Sequence, residues 1–148
     1  MCKIMIRRNL DNYVRDLNIA KQSGDKVGEA IASCTLGMAY HNHGDFKQAI
    51  GYHNQALRIA EELGLRDKEG LAHANIGNAY QGLGESEQAI PHHMKALSIA
   101  KELKLLRDEA LLNGNIGNDY QGLGKFNEAI DNHKQALKIA KEHRERER

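Results

Sequence analysis

The stretch NIGNAYQGLG at residues 75–84 returns forty residues later as NIGNDYQGLG at residues 115–124, with nine of the ten positions identical. Gly37, Tyr40 and Gly44 extend this alignment to an earlier copy. After each copy, an Ala-Leu-x-Ile-Ala segment follows at residues 56–60, 96–100 and 136–140. The chain therefore contains three units that repeat every forty residues.

Each unit is predicted to form two helices, because apolar and small residues recur at three- and four-residue spacing on both sides of a glycine break. In the second unit these helices, A and B, are predicted over residues 66–82 and 86–103. Shifting these ranges by forty gives the helices of the other two units. Residues 5–22 carry the helix B pattern and predict one further helix, which would cover the first unit.

A helix pair of this length cannot bury its apolar faces alone, so neighbouring pairs must stack to form a core. The predicted fold is all-α, a right-handed α-solenoid of antiparallel helix pairs. We expect a single domain over residues 1–148. Its parts are an N-terminal helix at 5–22, repeats at 26–63, 66–103 and 106–143, and a charged tail at 144–148.

Glycines are expected to have two roles in this fold. Glycine inside a helix costs about 1 kcal/mol relative to alanine. Gly37 and its equivalents should therefore allow the backbone of helix B to approach, next to small residues such as Ala49 and Ala56. Gly44 and its equivalents should end helix A with a positive φ.

A phosphate-binding loop is the alternative reading of the glycine-rich stretch. The P-loop pattern needs Gly-Lys followed by Ser or Thr, with an earlier glycine five positions before. Here Phe126 follows Gly124-Lys125, and Asp119 occupies the position of the earlier glycine. The sequence therefore favours packing over phosphate binding.

The composition excludes several classes of partner. The 21 Lys and Arg balance 20 Asp and Glu and are interspersed with them, so no basic face for nucleic acid stands out. No apolar run approaches the roughly 20 residues that span a bilayer, and two cysteines make no disulfide framework. We expect a cytoplasmic protein with no nucleic acid partner and no membrane insertion.

The repeats resemble the tetratricopeptide pattern W-x2-L-G-x2-Y then A-x3-F then P. The L-G-x2-Y element corresponds to Leu36-Gly37 with Tyr40, and to the equivalent residues of the later units. The Trp, Phe and Pro of the pattern are replaced in all three units. The forty-residue period is similar to the longer repeats of the LGN/Pins-type G-protein-signalling modulators and of kinesin light chains.

This resemblance implies a function in protein–protein interaction. Such arrays bind peptide segments of partner proteins along a concave surface lined mainly by helix A. The implied peptide-binding residues are Ile31, Cys34, Met38, His41, Leu71, Ala74, Asn75, Asn78, Gln81, Leu111, Gly114, Asn115, Asn118 and Gln121.

Asparagines are the main polar feature of this implied surface. A side-chain amide both donates and accepts hydrogen bonds, so it can hold the backbone of an extended peptide. Asn75 and Asn78 share a helix face, and Asn115 and Asn118 continue the row in the next unit. The pattern predicts an asparagine ladder for a ligand of mixed polar and apolar character. The open alternative is that these residues are solvated or bond within the repeats.

The eight histidines raise the possibility of a metal site. His53, His93 and His133 recur, but stacked helices lie about 8–10 Å apart, too far to share a zinc ion at about 2 Å from each ligand. We expect these rings to be partly buried, with no metal, no cofactor and no catalytic residues. No nucleophile, base and orienting group recur in a recognisable spacing, so we do not expect an enzyme.

The leading hypothesis is a scaffold or adaptor for a partner protein. Helix B of the third unit has no following repeat in this sequence to cover its outer face. The alternatives are therefore a self-assembly module that uses this C-terminal repeat, or a regulatory fragment of a larger multidomain signalling protein.

Overall fold

The computed structural model describes residues 3–148, with side chains described from residue 7 onward. Within these residues the chain forms seven α-helices and no β-strand. The helices are α1 (Lys3–Ser23), α2 (Lys26–Asn42), α3 (Phe46–Leu63), α4 (Arg66–Gly82), α5 (Ser86–Glu102), α6 (Leu106–Gly122) and α7 (Phe126–Arg146).

The helix bounds differ from the predicted ones only at the ends of some helices. In the second unit, α4 has the predicted range 66–82, and α5 ends at Glu102 instead of residue 103. The largest difference is in α7, which continues to Arg146 although helix B was predicted to end at residue 143. Most of the predicted charged tail at 144–148 is therefore helical.

The helices stack in chain order. The two helices of each unit contact each other, and each helix B contacts helix A of the next unit. Helices A also touch directly, as α2 with α4 and α4 with α6, so all three lie side by side on one face. The architecture is the expected all-α solenoid, with α1 packed on α2 as its first element.

The glycines inside helices A face histidines of helices B. A Cβ added at Gly37, Gly77 or Gly117 would lie 2.5, 2.5 or 2.7 Å from the ring of the helix B histidine in the same unit. Close approach was predicted correctly, but the expected partner was wrong. An imidazole ring fills the space that was assigned to the helix backbone and small side chains.

The glycines between helices A and B adopt the left-handed conformation, as predicted. Their φ angles are 78° at Gly44, 74° at Gly84 and 72° at Gly124. The turn between units has the same conformation, with φ 67° at Gly64, but Lys104 takes the equivalent position in the next turn with φ 57°. The second turn therefore carries backbone strain that the first avoids.

The outer face of α7 is exposed. Phe126, Ile130 and Leu137 are 62%, 49% and 58% exposed. In the first two units the corresponding helix B face packs against helix A of the next unit. In the last repeat, the helix B face that the earlier repeats bury is therefore exposed to solvent.

None of the helices in the described part of the chain combines the length and the apolarity needed to cross a membrane.

Candidate peptide-binding surface

One large aliphatic side chain projects from the same position of each helix A. Ile31, Leu71 and Leu111 follow one another at forty-residue intervals and are 52%, 51% and 59% exposed. Because α2, α4 and α6 lie side by side, these residues belong to one face of the solenoid. We call this face, marked by the three aliphatic residues, the helix A surface.

The cleft lined by the most predicted site residues, here called the main cleft, lies between the second and third units and has a volume of about 250 Å³. Its walls come from α4, α5 and α6 and from the turn between the units. Six of the predicted site residues line it, namely Leu71, Ala74, Asn75, Asn78, Leu111 and Asn115. Ile99 and Leu103 add apolar surface that the sequence analysis did not assign to the site.

Two related clefts flank the main one. Between the first and second units, Ile31, Cys34 and Leu71 line a smaller cleft of about 140 Å³. Within the third unit, between α6 and α7, an open cleft of about 590 Å³ contains Leu111, Gly114, Asn115 and Asn118. The repeat thus produces three clefts of graded size along one face.

Charges around the clefts have both signs. Lys68 borders the small cleft, Asp67 and Asp108 border the main cleft, and Arg107 borders the open one. Each positive residue stands alone at its cleft. The surface therefore lacks a paired cationic clamp for a carboxylate among the residues that line these clefts.

Asn78 and Asn115 are already bonded to protein groups. The Nδ2 of Asn115 donates to Oδ1 of Asn78 at 3.1 Å, and Nε2 of His93 lies 3.0 Å from the same oxygen. Two members of the predicted ladder therefore connect the second and third units. The alternative left open was that these residues are solvated or bond within a repeat, whereas this bond crosses from one repeat to the next.

Behind these amides lies a buried histidine–aspartate pair. His93 Nδ1 is 2.6 Å from Oδ2 of Asp119, and both side chains are fully buried. Both ring nitrogens of His93 face oxygen atoms of other side chains. Gln81 Nε2 donates to Asp119 Oδ1 at 2.7 Å and to the Asn115 carbonyl at 3.3 Å. This network joins α4, α5 and α6.

This histidine–aspartate pair was not predicted from the sequence, and partial burial was expected for all three recurring histidines. His53 and His93 are instead almost completely buried, at 1% and 0% exposure, whereas His133 is exposed on α7. The sequence signal for the pair is an aspartate 26 residues after the helix B histidine of the preceding unit. Asp119 stands at this distance from His93. Ala79 holds that position relative to His53, whose buried Nδ1 has no hydrogen-bond partner within the described residues.

The remaining predicted site residues lie outside the clefts. Met38 is half exposed, and Gln121 is exposed. His41 packs edge-on against Phe46, with ring centroids 5.0 Å apart. Gln81 serves the buried network. These four residues therefore flank or support the helix A surface and do not form the walls of its clefts.

Cys34 lies in the small cleft beside Asn75, whose Nδ2 is 3.7 Å from its Sγ. Burial raises the pKa of the Cys34 thiol above its ordinary value. A raised pKa keeps the thiol protonated and unreactive near neutral pH. Its chemistry is that of a small apolar wall of the cleft.

The repeats themselves match a known family. The model of the family described as tetratricopeptide repeat matches residues 10–62 and 69–142, which is most of the chain. The chain belongs to the tetratricopeptide-repeat family. Proteins of this family provide scaffolds for protein–protein interaction, and this assignment agrees with the solenoid of helix pairs described above.

Solved structures share this fold at low sequence identity. The crystal structure of BtubC (BKLC) from P. vanneervenii has a TM-score of 0.88 and 22% identity, over 95% of this chain and 58% of that one. The apo form of RapI has a TM-score of 0.86 and 20% identity, over 96% of this chain and 40% of RapI.

The tetratricopeptide-repeat domain of Arabidopsis FLU has a TM-score of 0.75 and 22% identity, over 78% of this chain and 98% of that domain. At such identities these similarities define the fold alone. A comparison with curated proteins finds no match.

Proposed function

We propose that the helix A surface binds a peptide segment of a partner protein, so that the chain acts as a scaffold or adaptor. The observation that carries this proposal is the row of exposed aliphatic side chains, Ile31, Leu71 and Leu111, with an apolar cleft between each pair. Apolar side chains that recur in register along one face are typical of a binding surface.

The row is large enough to support a useful affinity. Full burial of a wholly exposed aliphatic side chain is worth about 1.5–3 kcal/mol, so three half-exposed anchors contribute on the order of 2–5 kcal/mol, and the aliphatic side chains of the ligand add to this. Ordering a flexible peptide takes back part of this gain. We therefore expect dissociation constants in the micromolar range, where the binding free energy is about −8 kcal/mol.

Polar contacts would come from the amides that remain available. Asn78 and Asn115 already bond to each other, but within the described residues Asn75 has only its long contact with Cys34, and Asn118 is exposed at the open cleft. These two amides can pair with the backbone of a bound peptide. The ligand would therefore combine aliphatic side chains that enter the clefts with an extended backbone beside them.

The experiment is a selection of peptides from a displayed random library on the full chain, followed by fluorescence anisotropy with the selected peptides. Leu71→Asp places a charge between the small and main clefts and should weaken binding at least tenfold. Met94→Asp is the matched control, because Met94 is equally exposed, at 52% against 51% for Leu71, but lies on helix B. Equal binding by both variants, or a library without binders, would contradict the proposal.

The amide contribution has its own test. Asn75→Ala and Asn118→Ala remove groups that lie outside the buried network, whereas Asn78→Ala would also disturb His93. We expect each of the first two variants to weaken the selected peptides severalfold with unchanged thermal stability. Unchanged affinity in the double variant would remove the asparagine ladder from the proposal.

A second candidate function is self-association through the last repeat. The exposed Phe126, Ile130 and Leu137 on α7 favour it, since apolar patches of this kind mark interfaces. Sedimentation equilibrium should then show dimers that Leu137→Glu dissociates. A parent chain that is monomeric at high concentration would exclude this candidate.

The finer family resemblance also belongs to this proposal. The forty-residue period favours repeats similar to those of LGN/Pins-type modulators and kinesin light chains, in a cytoplasmic protein, either as an adaptor or as a regulatory part of a larger signalling protein. A fluorescent fusion in the cells of origin tests the location, and it should give a diffuse cytoplasmic signal.

A further inference from the structure

Three potential metal ligands meet at the junction between the first and second units. Glu61 comes from the end of α3, and Glu69 and His73 come from α4. One ligand atom from each lies within 4.8 Å of the others. This cluster is separate from the clefts of the helix A surface.

The backbone arrangement suits chelation. Glu69 and His73 are four residues apart on α4, so their side chains lie on the same face, one turn apart. Glu61 reaches the same place from the neighbouring helix. The small adjustment needed to bring three atoms about 2 Å from one ion lies within the freedom of the two glutamates.

His73 is held in an orientation typical of a metal ligand. Its side chain is 2% exposed, and its Nδ1 lies 3.0 Å from Nδ1 of His92. Metal-binding histidines usually engage their second ring nitrogen in such a hydrogen bond, which fixes the ring and its tautomer. Because Nδ1 faces His92, Nε2 of His73 is the ring nitrogen that would bind a cation.

We propose that Glu61, Glu69 and His73 form a binding site for a divalent transition-metal cation of the zinc class. One imidazole nitrogen and two carboxylate oxygens are ligands that Zn²⁺ accepts, and a water molecule would complete four coordination. The cation would join α3 to α4 and so fasten the first unit to the second.

Arg66 competes with this cation. Its Nη1 is 2.7 Å from Oε1 of Glu69, and its Nη2 is 2.6 Å from Oε2 of Glu102. The second Glu69 oxygen remains for the metal, while Glu102 holds Arg66 from the other side. Loss of the arginine charge should therefore strengthen metal binding.

The site is specific to the junction between the first and second units. At the junction between the second and third units the corresponding residues are Lys101, Glu109 and Asn113, so a cation replaces one carboxylate and an amide replaces the imidazole. Asn113 fits the same buried place and donates to the Glu109 carbonyl at 2.8 Å. The chain thus supplies both a matched control site and a tolerated replacement for His73.

The test is isothermal titration of the full chain, without an affinity tag and stripped with a chelator, with zinc chloride. We expect one site in the parent, an affinity at least tenfold lower in Glu61→Gln and His73→Asn, and no change in Glu109→Gln. Arg66→Gln should bind more tightly than the parent. Zinc should also raise the Tm of the parent but not that of His73→Asn.

Zinc that binds to other histidines of the chain would overturn the proposal. Zinc binding that is equal in the parent, Glu61→Gln and His73→Asn would assign the ion to another part of the surface. Absence of binding in the parent would reject the site outright. Glu61 is exposed, so its variant decides the question even if His73→Asn changes the packing, and circular dichroism monitors that packing.

Discussion

Replacement of Asp119 by alanine should uncouple the third repeat from the second. Asp119 is fully buried and accepts from His93 at 2.6 Å and from Gln81 at 2.7 Å. The variant removes both acceptors at once. Gln81 and His93 come from α4 and α5 and Asp119 from α6, so both lost bonds cross between the two repeats.

The size of the effect follows from the burial. Asp119→Ala leaves Nδ1 of His93 buried without its partner and removes one of the two acceptors of Gln81. Each buried polar group left unsatisfied costs about 1–3 kcal/mol. We expect about 3 kcal/mol, which for a domain of this length lowers Tm by roughly 6–12 °C.

The assay is urea unfolding followed by circular dichroism, with Asp131→Ala as the control because Asp131 is exposed on α7. The Asp119→Ala transition should move to lower urea and broaden, since the third repeat would unfold before the other two. A loss below about 1 kcal/mol, equal to that of the control, would refute the reasoning that this pair fastens the repeats together.

Three further predictions concern stability. Burial and the charge of His41 lower the pKa of His53 from 6.5 to about 4, so the folded state resists the proton that the unfolded chain accepts. The free energy of unfolding should therefore be highest above pH 6.5 and should fall by up to about 3 kcal/mol as the pH drops toward 4, at about 1.4 kcal/mol per pKa unit. Urea midpoints that stay constant from pH 7.5 to 4.5 would contradict this. Lys104→Gly should raise stability by about 1 kcal/mol in a thermal melt because it relieves a positive φ, and Gly64→Lys should lower it similarly. Gly77→Ala should lower the free energy of unfolding by about 1–3 kcal/mol, because its Cβ would lie 2.5 Å from the His93 ring. At Gly114 the added Cβ meets open space, so Gly114→Ala should be neutral or stabilising. Equal Tm values for these two alanine variants would reject the steric argument.

The fold could be predicted from the sequence because its determinants are local and repeated. Gly84 and its equivalents in the other units end helix A and begin the turn to helix B, and the forty-residue period indicates that neighbouring units stack. The exposed row of Ile31, Leu71 and Leu111 follows from the same period, because equivalent positions of stacked repeats share a face. No long-range information was needed for these features.

The buried network could not be predicted in the same way. The pairing of His93 with Asp119 depends on how α5 packs against α6, which brings residues 26 positions apart within 2.6 Å. The packing of α6 beside α4 likewise places the Asn115 amide against Asn78. The metal-site candidate has a local signal in the spacing of Glu69 and His73, but Glu61 joins it only through packing of α3 on α4.

The replacement of an aspartate by Ala79 at the first junction has a consequence for engineering. The helix B histidine of the second unit meets a carboxylate in the next unit, whereas Nδ1 of His53 in the first unit has no hydrogen-bond partner within the described residues, and the position equivalent to Asp119 is Ala79. Modules cut at the turns would therefore not be interchangeable. A shuffled array that placed the third module directly after the first would give His53 an acid partner. An array that placed two copies of the second module in tandem would leave His93 of the first copy without one.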